Sequence, residues 1–123
     1  RRAVFVREQC GPLEEEPDPW DSVAEHFVVE WEGDIVGAAR LYQPEPGILK
    51  IGRVCLLPAF RGRGWGALLM EALLRHAVAR GPREVVLDAQ TYALPFYERL
   101  GFTAVGEEFL DAGIPHRRMV LSR

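Results

Sequence analysis

The sequence predicts one α/β (α+β) domain: a mixed central sheet in which an antiparallel meander is followed by a parallel pair, with helices flanking it. Three observations lead there. First, two runs rich in β-branched and aromatic residues, 26–31 and 35–42, flank Glu32-Gly33-Asp34, a hairpin signal. Second, a strand-like run at 54–57, an amphipathic run at 66–80 and an apolar run at 84–88 follow one another. Strand, helix and strand in that order imply that 54–57 and 85–87 pair in parallel through a right-handed crossover. Third, 102–110 and 115–121, joined by Asp111-Ala112-Gly113-Ile114, read as a closing hairpin. At 123 residues the chain is long enough for one hydrophobic core and too short for two, so a single domain spans 1–123.

In chain order, residues 1–9 set Val4, Phe5 and Glu8 at helical spacing and predict the tail of a helix, stopped by Gly11-Pro12. Residues 13–21, with Glu14, Glu15, Glu16, Pro17, Asp18 and Pro19, are too polar and proline-broken for a regular element and read as an acidic loop. After the 26–42 hairpin, Pro44-Glu45-Pro46-Gly47 turns the chain into a third strand, 48–57, which Pro58 ends. The helix at 66–80 is expected to bury Leu68, Leu69, Ala72, Leu73 and Val78, with Glu71 and Arg75 four apart on its outer side. Gly81-Pro82 stops it. A second helix, 91–100, is interrupted near Pro95.

Composition narrows the function classes. A net charge of −3 gives the molecule no overall attraction to nucleic acid or to an anionic membrane, so any basic site must be local. No apolar run approaches the roughly 20 residues that span a bilayer, and the start lacks a signal-peptide layout, so a cytoplasmic protein is expected. Cys10 and Cys55 are far apart and share no ligand spacing with His26, His76 or His116, which points to neither a disulfide framework nor a metal site. Cys55 lies in an apolar strand and reads as a small filler.

The local basic site is Arg61-Gly62-Arg63-Gly64-Trp65-Gly66, between a strand and a helix. Alternating glycines leave the backbone bare where it turns, so successive N–H groups can converge on one spot. The helix N-terminus adds unpaired donors and a partial positive charge, and Arg61 and Arg63 add two full charges, a combination suited to a pyrophosphate. The spacing is not that of a P-loop, because Gly66 is followed by Ala67 and Leu68 rather than Lys and Ser or Thr. Nor is it Gly-x-Gly-x-x-Gly.

Arg61-x-x-Gly64-x-Gly66 after a strand closed by Pro58 resembles the acyl-CoA pyrophosphate loop of the GCN5-related N-acetyltransferases (GNAT). Phe96-Tyr97-Glu98-Arg99-Leu100-Gly101-Phe102 resembles their C-terminal signature. Residues 1–9, Ile51-Gly52-Arg53-Val54 and Asp111-Ala112-Gly113-Ile114-Pro115-His116 are similar to the small ElaA-like branch, so the likeness covers nearly the whole chain. The resemblance implies the GNAT fold, its sheet splayed at the cofactor site, and a further strand and helix start ahead of Arg1. It implies acetyl-CoA (coenzyme A) as co-substrate, no metal, and direct transfer of the acetyl group to a small-molecule or peptide amine. The N–H groups from Gly62 to Gly66, with Arg61, Arg63 and Trp65 beside them, would hold the pyrophosphate. The main chain of Val54, Cys55 and Leu56 would pair with the pantetheine arm as an extra strand, and Gln90 would stand where many relatives have an Asn that touches the cofactor.

In the same resemblance Tyr97 becomes the general acid: a phenol keeps its proton at neutral pH and can give it to a departing thiolate. His116 has the intrinsic pKa of a base, and Glu107 or Glu108, on the preceding strand, is an alternative. Arg53 interrupts an apolar run, an expensive place for a charge unless an anion pairs with it. Either it forms an internal ion pair with a glutamate such as Glu107, or it faces the cleft and receives a carboxylate of the acceptor. A second reading of the whole chain is a binding module that retains acyl-CoA as a sensor without turnover, to which Tyr97 would be superfluous. An edge strand is also open to pairing with a second copy, giving a homodimer.

Overall fold

The turn at Glu32-Gly33 sets the register of the first half of the sheet. Both residues have positive φ, 54° and 86°, which a two-residue type I′ hairpin requires, and Trp31 faces Asp34 across it. The computed structural model describes residues 4–9 (their backbone path), 24–56 and 64–122. From the turn, β2 (Glu25–Trp31) and β3 (Asp34–Glu45) run antiparallel, and Pro46-Gly47 returns the chain into β4 (Ile48–Leu56).

Among the described residues no helix precedes this hairpin. Val4–Gln9 is a strand, β1, paired antiparallel with β2 from Val4↔Trp31 to Gln9↔His26. Val4, Phe5 and Val6 suit a pleated surface, and the edge of β2 supplies a ladder for all six residues, which outweighs a weak helical spacing. The meander therefore has four strands where three were expected. The acidic loop at 13–21, Cys10 and Trp20 lie outside the described residues, as do Leu57, Pro58 and 61–63 of the glycine-rich turn.

The second half is the expected crossover. Helix α1 (Trp65–Ala79) leads into β5 (Glu84–Gln90), then a 3₁₀ turn (Thr91–Ala93), helix α2 (Leu94–Arg99, with Pro95 in its first turn) and the hairpin of β6 (Phe102–Asp111) and β7 (Ile114–Leu121). The strands form one seven-stranded sheet in the order β1-β2-β3-β4-β5-β7-β6. Two details differ from expectation. The parallel pairing of β4 and β5 runs from Ile48↔Glu84 to Ile51↔Leu87, so residues 54–56 take no part in it. And α1 buries Leu69, Met70, Leu73 and Ala77, while Leu68 and Val78 are exposed. At about 100° per residue Leu68 and Val78 each point roughly 140° away from Leu73, so they cannot share its face.

That buried face of α1 and Tyr97 of α2 share one core with Ala39, Leu41, Leu49, Ile51, Leu87, Ala89 and Met119, which defines a helix side of the sheet. The alternate residues Arg40, Tyr42, Lys50, Gly52, Asp88 and Gln90 belong to the opposite side. Glu25 of β2 ties down the end of α1 by accepting from both His76 (Nε2 to Oε2, 2.7 Å) and Arg80, the latter a cation well placed at a helix C-terminus. No described helix is long and apolar enough to cross a membrane.

Candidate active site

The site begins with one extra residue. Between the pairs Arg40↔Gly52 and Ala38↔Cys55, β3 advances by two residues and β4 by three, and the added residue, Arg53, has φ 53°. A bulge bends its strand and increases its twist. The consequence is a split: β4 stays with β3 as far as Gly37↔Leu56, but pairs with no β5 residue beyond Ile51. A wedge-shaped gap opens between β4 and β5, edged by the main chain of Val54, Cys55 and Leu56. Cys55 is exposed there rather than buried, because its strand has lost one neighbour.

Two glycines fix the end of β4 against α1. A Cβ on Gly37 would sit 2.5 Å from Leu56 Cδ2 and 3.1 Å from the Cys55 carbonyl, and a Cβ on Gly66 would touch Leu56 Cδ1 at 3.4 Å and Phe96 at 3.5 Å. Leu56 thus occupies the space a side chain at Gly37 would need, whereas a Cβ at Gly66 would make ordinary van der Waals contact. Gly64 caps the helix in the left-handed conformation (φ 80°), its carbonyl accepting from Leu68 N at 3.1 Å, and the first turn has no acidic residue. The N–H groups of that turn have no acceptor within the helix. Trp65 packs on Trp31, ring centroids 5.2 Å apart.

A cavity of about 400 Å³ runs through the gap, lined from the helix side by Ile51, Val54, Leu87 and Tyr97 and from the other side by Arg40, Tyr42, Lys50, Asp88, Gln90 and His116, with Arg53, Tyr92 and Asp111 completing it. Tyr97 is 9% exposed, its ring held edge-on by Phe96 (5.0 Å) and Phe102 (6.2 Å). Burial pushes its phenol up to about 12, with a smaller push from Tyr92. His116 sits opposite Gln90 in the β5–β7 ladder and is stacked on Phe109 at 5.9 Å. Its Nδ1 donates to the Ile114 carbonyl at 2.7 Å, so the neutral ring keeps its lone pair on Nε2.

Of the residues expected at the site, Tyr97, His116, Gln90, Val54 and Arg53 line this cavity. Glu107 does not: it is exposed, in the β6 irregularity between Val105 and Phe109, where Gly106 has φ 74° and Arg117 donates to the Gly106 carbonyl at 2.7 Å. Arg61, Gly62 and Arg63 lie outside the described residues. Arg40, Tyr42, Lys50, Asp88 and Asp111 were not foreseen. Arg40 carried the same signal as Arg53, a charge inside an apolar strand, and is 7% exposed.

Asp88 is gripped on both oxygens, by Lys50 Nζ at 3.0 Å and Arg118 Nε at 2.6 Å. Burial alone would raise its pKa, but the hydrogen bonds and charges of Arg118 and Lys50 outweigh it and hold the carboxyl below its usual value. A depressed folded-state value stabilises above the unfolded value, about 3.9, and that stability is lost as pH falls through the folded value. Melting temperature is therefore expected to drop below about pH 4 in the wild type. Asp88→Asn should cost about 1–2 kcal/mol at neutral pH and flatten that acid limb. An unchanged acid limb in the variant would remove Asp88 from this role. Among the described residues no group of three or more His, Cys, Asp and Glu is placed to hold a metal ion.

Comparison with known proteins agrees with this geometry. The acetyltransferase (GNAT) domain family matches residues 3–123. The Bacillus subtilis (strain 168) protein described as uncharacterized N-acetyltransferase YjcF is 43% identical over 121 residues, covering 98% of this chain and 86% of that one. Among solved structures, an acyl-CoA N-acyltransferase from Pseudomonas aeruginosa superposes with a TM-score of 0.82 at 27% identity, covering 99% of this chain and all of the other (100%). Escherichia coli ElaA superposes with a TM-score of 0.77 at 29% identity, covering 90% of this chain and 78% of its own. The chain belongs to the GNAT acetyltransferase family.

Proposed function

We propose that the β4–β5 gap is where an acetyl group passes from acetyl-CoA to a primary amine by direct attack. One observation carries this reading: the bulge at Arg53 opens the sheet so that Tyr97 from the helix side and His116 from the other side line a single cavity. Family members of this fold bind acetyl-CoA or CoA, which would supply the activated thioester. The residues present fit such a ligand. The first turn of α1, with bare Gly64 and Gly66 and no acid, would receive the pyrophosphate, Arg61, Gly62, Arg63 and Trp65 contributing beside it. The edge of β4 at Val54, Cys55 and Leu56 would pair with the pantetheine arm, with Gln90 across the gap.

In that arrangement His116 Nε2 would accept the proton of the attacking amine, directly or through water. A main-chain N–H at the end of β4 would stabilise the oxyanion. Tyr97 would donate to the departing sulfur. With a value of about 12 its phenol is a weaker acid than an alkyl thiol near 8.5, so it would act mainly as a hydrogen-bond donor to the forming thiolate. The same burial that raises the phenol raises a thiol in the gap, which narrows the mismatch.

The experiment is a thermal-shift titration with acetyl-CoA followed by an amine-library screen for thiol release. Acetyl-CoA at 100 times its Kd is expected to add about 2.7 kcal/mol of stability, and at least one amine class should release thiol above background. Stabilisation with no turnover across the library would favour the binding-module reading. No stabilisation at millimolar acetyl-CoA would contradict both.

A further inference from the structure

Resting on the transfer reaction above, we propose that the acceptor is an amine that also carries a carboxylate, and that Arg40 and Arg53 receive that carboxylate. The charges of the cavity are unevenly placed. Its β3 and β4 wall carries Arg40, Lys50 and Arg53, and its carboxylates are Asp88 on β5 and Asp111 at the β6–β7 turn. Lys50 is paired with Asp88 at 3.0 Å, and Asp88 is held by Arg118 as well, so the Lys50 ammonium already has its carboxylate. The remaining cations of that wall are the two guanidinium groups, while the β6–β7 hairpin brings Asp111 and His116 to the cavity.

The two arginines are neighbours by register. Arg40 pairs with Gly52, the residue before Arg53, and a Cβ on Gly52 would lie 3.5 Å from Arg40 Nε. The Arg40 side chain thus lies against the strand just before the bulge, with its guanidinium carbon 4.7 Å from the Tyr42 ring centroid. A guanidinium has five donors in a planar fork, so one that already makes contacts still presents a bidentate edge matched to a carboxylate. Holding one such group nearly buried, and placing the second on a left-handed backbone that favours glycine or asparagine, is costly unless the position has a use. A carboxylate against these groups leaves the amine of the same molecule directed toward Asp111 and His116, where a cation is welcome and its proton has an acceptor.

The test uses matched acceptors, an amino acid, its carboxamide and its decarboxylated amine, across the amine library with the full chain. Thiol release gives kcat/KM, and thermal shift gives acetyl-CoA affinity in parallel. The wild type should prefer the carboxylate member by about 10–100-fold, the range of charge-assisted hydrogen bonds. Arg53→Asn, which tolerates the left-handed backbone, should narrow that preference to within about threefold. Arg53→Lys should keep part of it, and acetyl-CoA affinity should not move in either. If the Asn variant folds poorly, Arg53→Gly suits the same φ and repeats the comparison. A wild type indifferent to the carboxylate overturns the proposal and leaves acetyl transfer standing. So does an Arg53→Asn that weakens acetyl-CoA binding but keeps the preference, which would assign the cation to the cofactor. Absence of acetyl-CoA binding by the wild type removes the transfer reaction, and this proposal with it.

Discussion

Tyr97→Phe is expected to lower kcat by about 10²–10³-fold, the usual range for a positioned hydrogen-bond donor to developing negative charge, while acetyl-CoA affinity changes by less than about twofold. The ring remains wedged between Phe96 and Phe102, so only the hydroxyl is lost. Because burial raises the phenol to about 12, it stays protonated across the working range. The ratio of wild-type to variant rates should therefore be flat up to about pH 10. A ratio that collapsed near pH 10 would mean an unperturbed phenol, and equal rates would remove Tyr97 from the reaction. The raised value also has a stability signature. Its contribution is complete below the unfolded value of about 10 and disappears as pH rises through the folded value, so an alkaline loss of stability should be present in the wild type and reduced in the Phe variant.

The second large effect is expected at Gly37. Gly37→Ala places a methyl 2.5 Å from Leu56 Cδ2 and 3.1 Å from the Cys55 carbonyl. The end of Leu56 can rotate, but the Cys55 carbonyl is backbone and gives only with its strand. Either β4 moves or the core strains, at about 1–3 kcal/mol. Moving β4 also displaces the main chain edging the gap, so acetyl-CoA affinity should fall together with stability. Chemical denaturation and acetyl-CoA titration of Gly37→Ala, Leu56→Ala and the double variant form a cycle that isolates this contact. The account requires Leu56→Ala to recover part of the loss. Strictly additive energies would show that Gly37 acts elsewhere.

The sequence was most legible where a local signal and the tertiary arrangement agreed. Glu32-Gly33 reads as a tight hairpin and forms one, and the strand-helix-strand order requires a parallel pair and produces it. The exposed sides of strands and the ends of elements were less legible. Residues 4–9 spell a helix tail only if their neighbour is ignored, since the ladder with β2 is a long-range gain that local spacing does not contain. The register of the parallel pair was misplaced because apolar content favours residues 54–57, whereas the bulge at Arg53 takes them away from β5.

The same bulge explains what was visible at the site. A charge inside an apolar strand drew attention to Arg53, and a motif drew it to Tyr97, and both line the cavity. Glu107 was nominated on strand alternation, which fails in β6 because Gly106 introduces an irregularity before it. Asp111 was invisible as a cavity residue because its position depends on how the β6–β7 turn folds back over the gap, a non-local fact. Lys50 and Asp88 carry no local signal of a site, and only the parallel register brings them to 3.0 Å.

The most direct measurement is an amide chemical-shift titration of the isotopically labelled full chain with coenzyme A. The account predicts saturable shifts concentrated on Val54, Cys55 and Leu56 at the edge of β4 and on Gly64, Trp65 and Gly66 at the start of α1. Saturation with those amides unmoved and the largest shifts elsewhere, or no saturation at millimolar ligand, would contradict it.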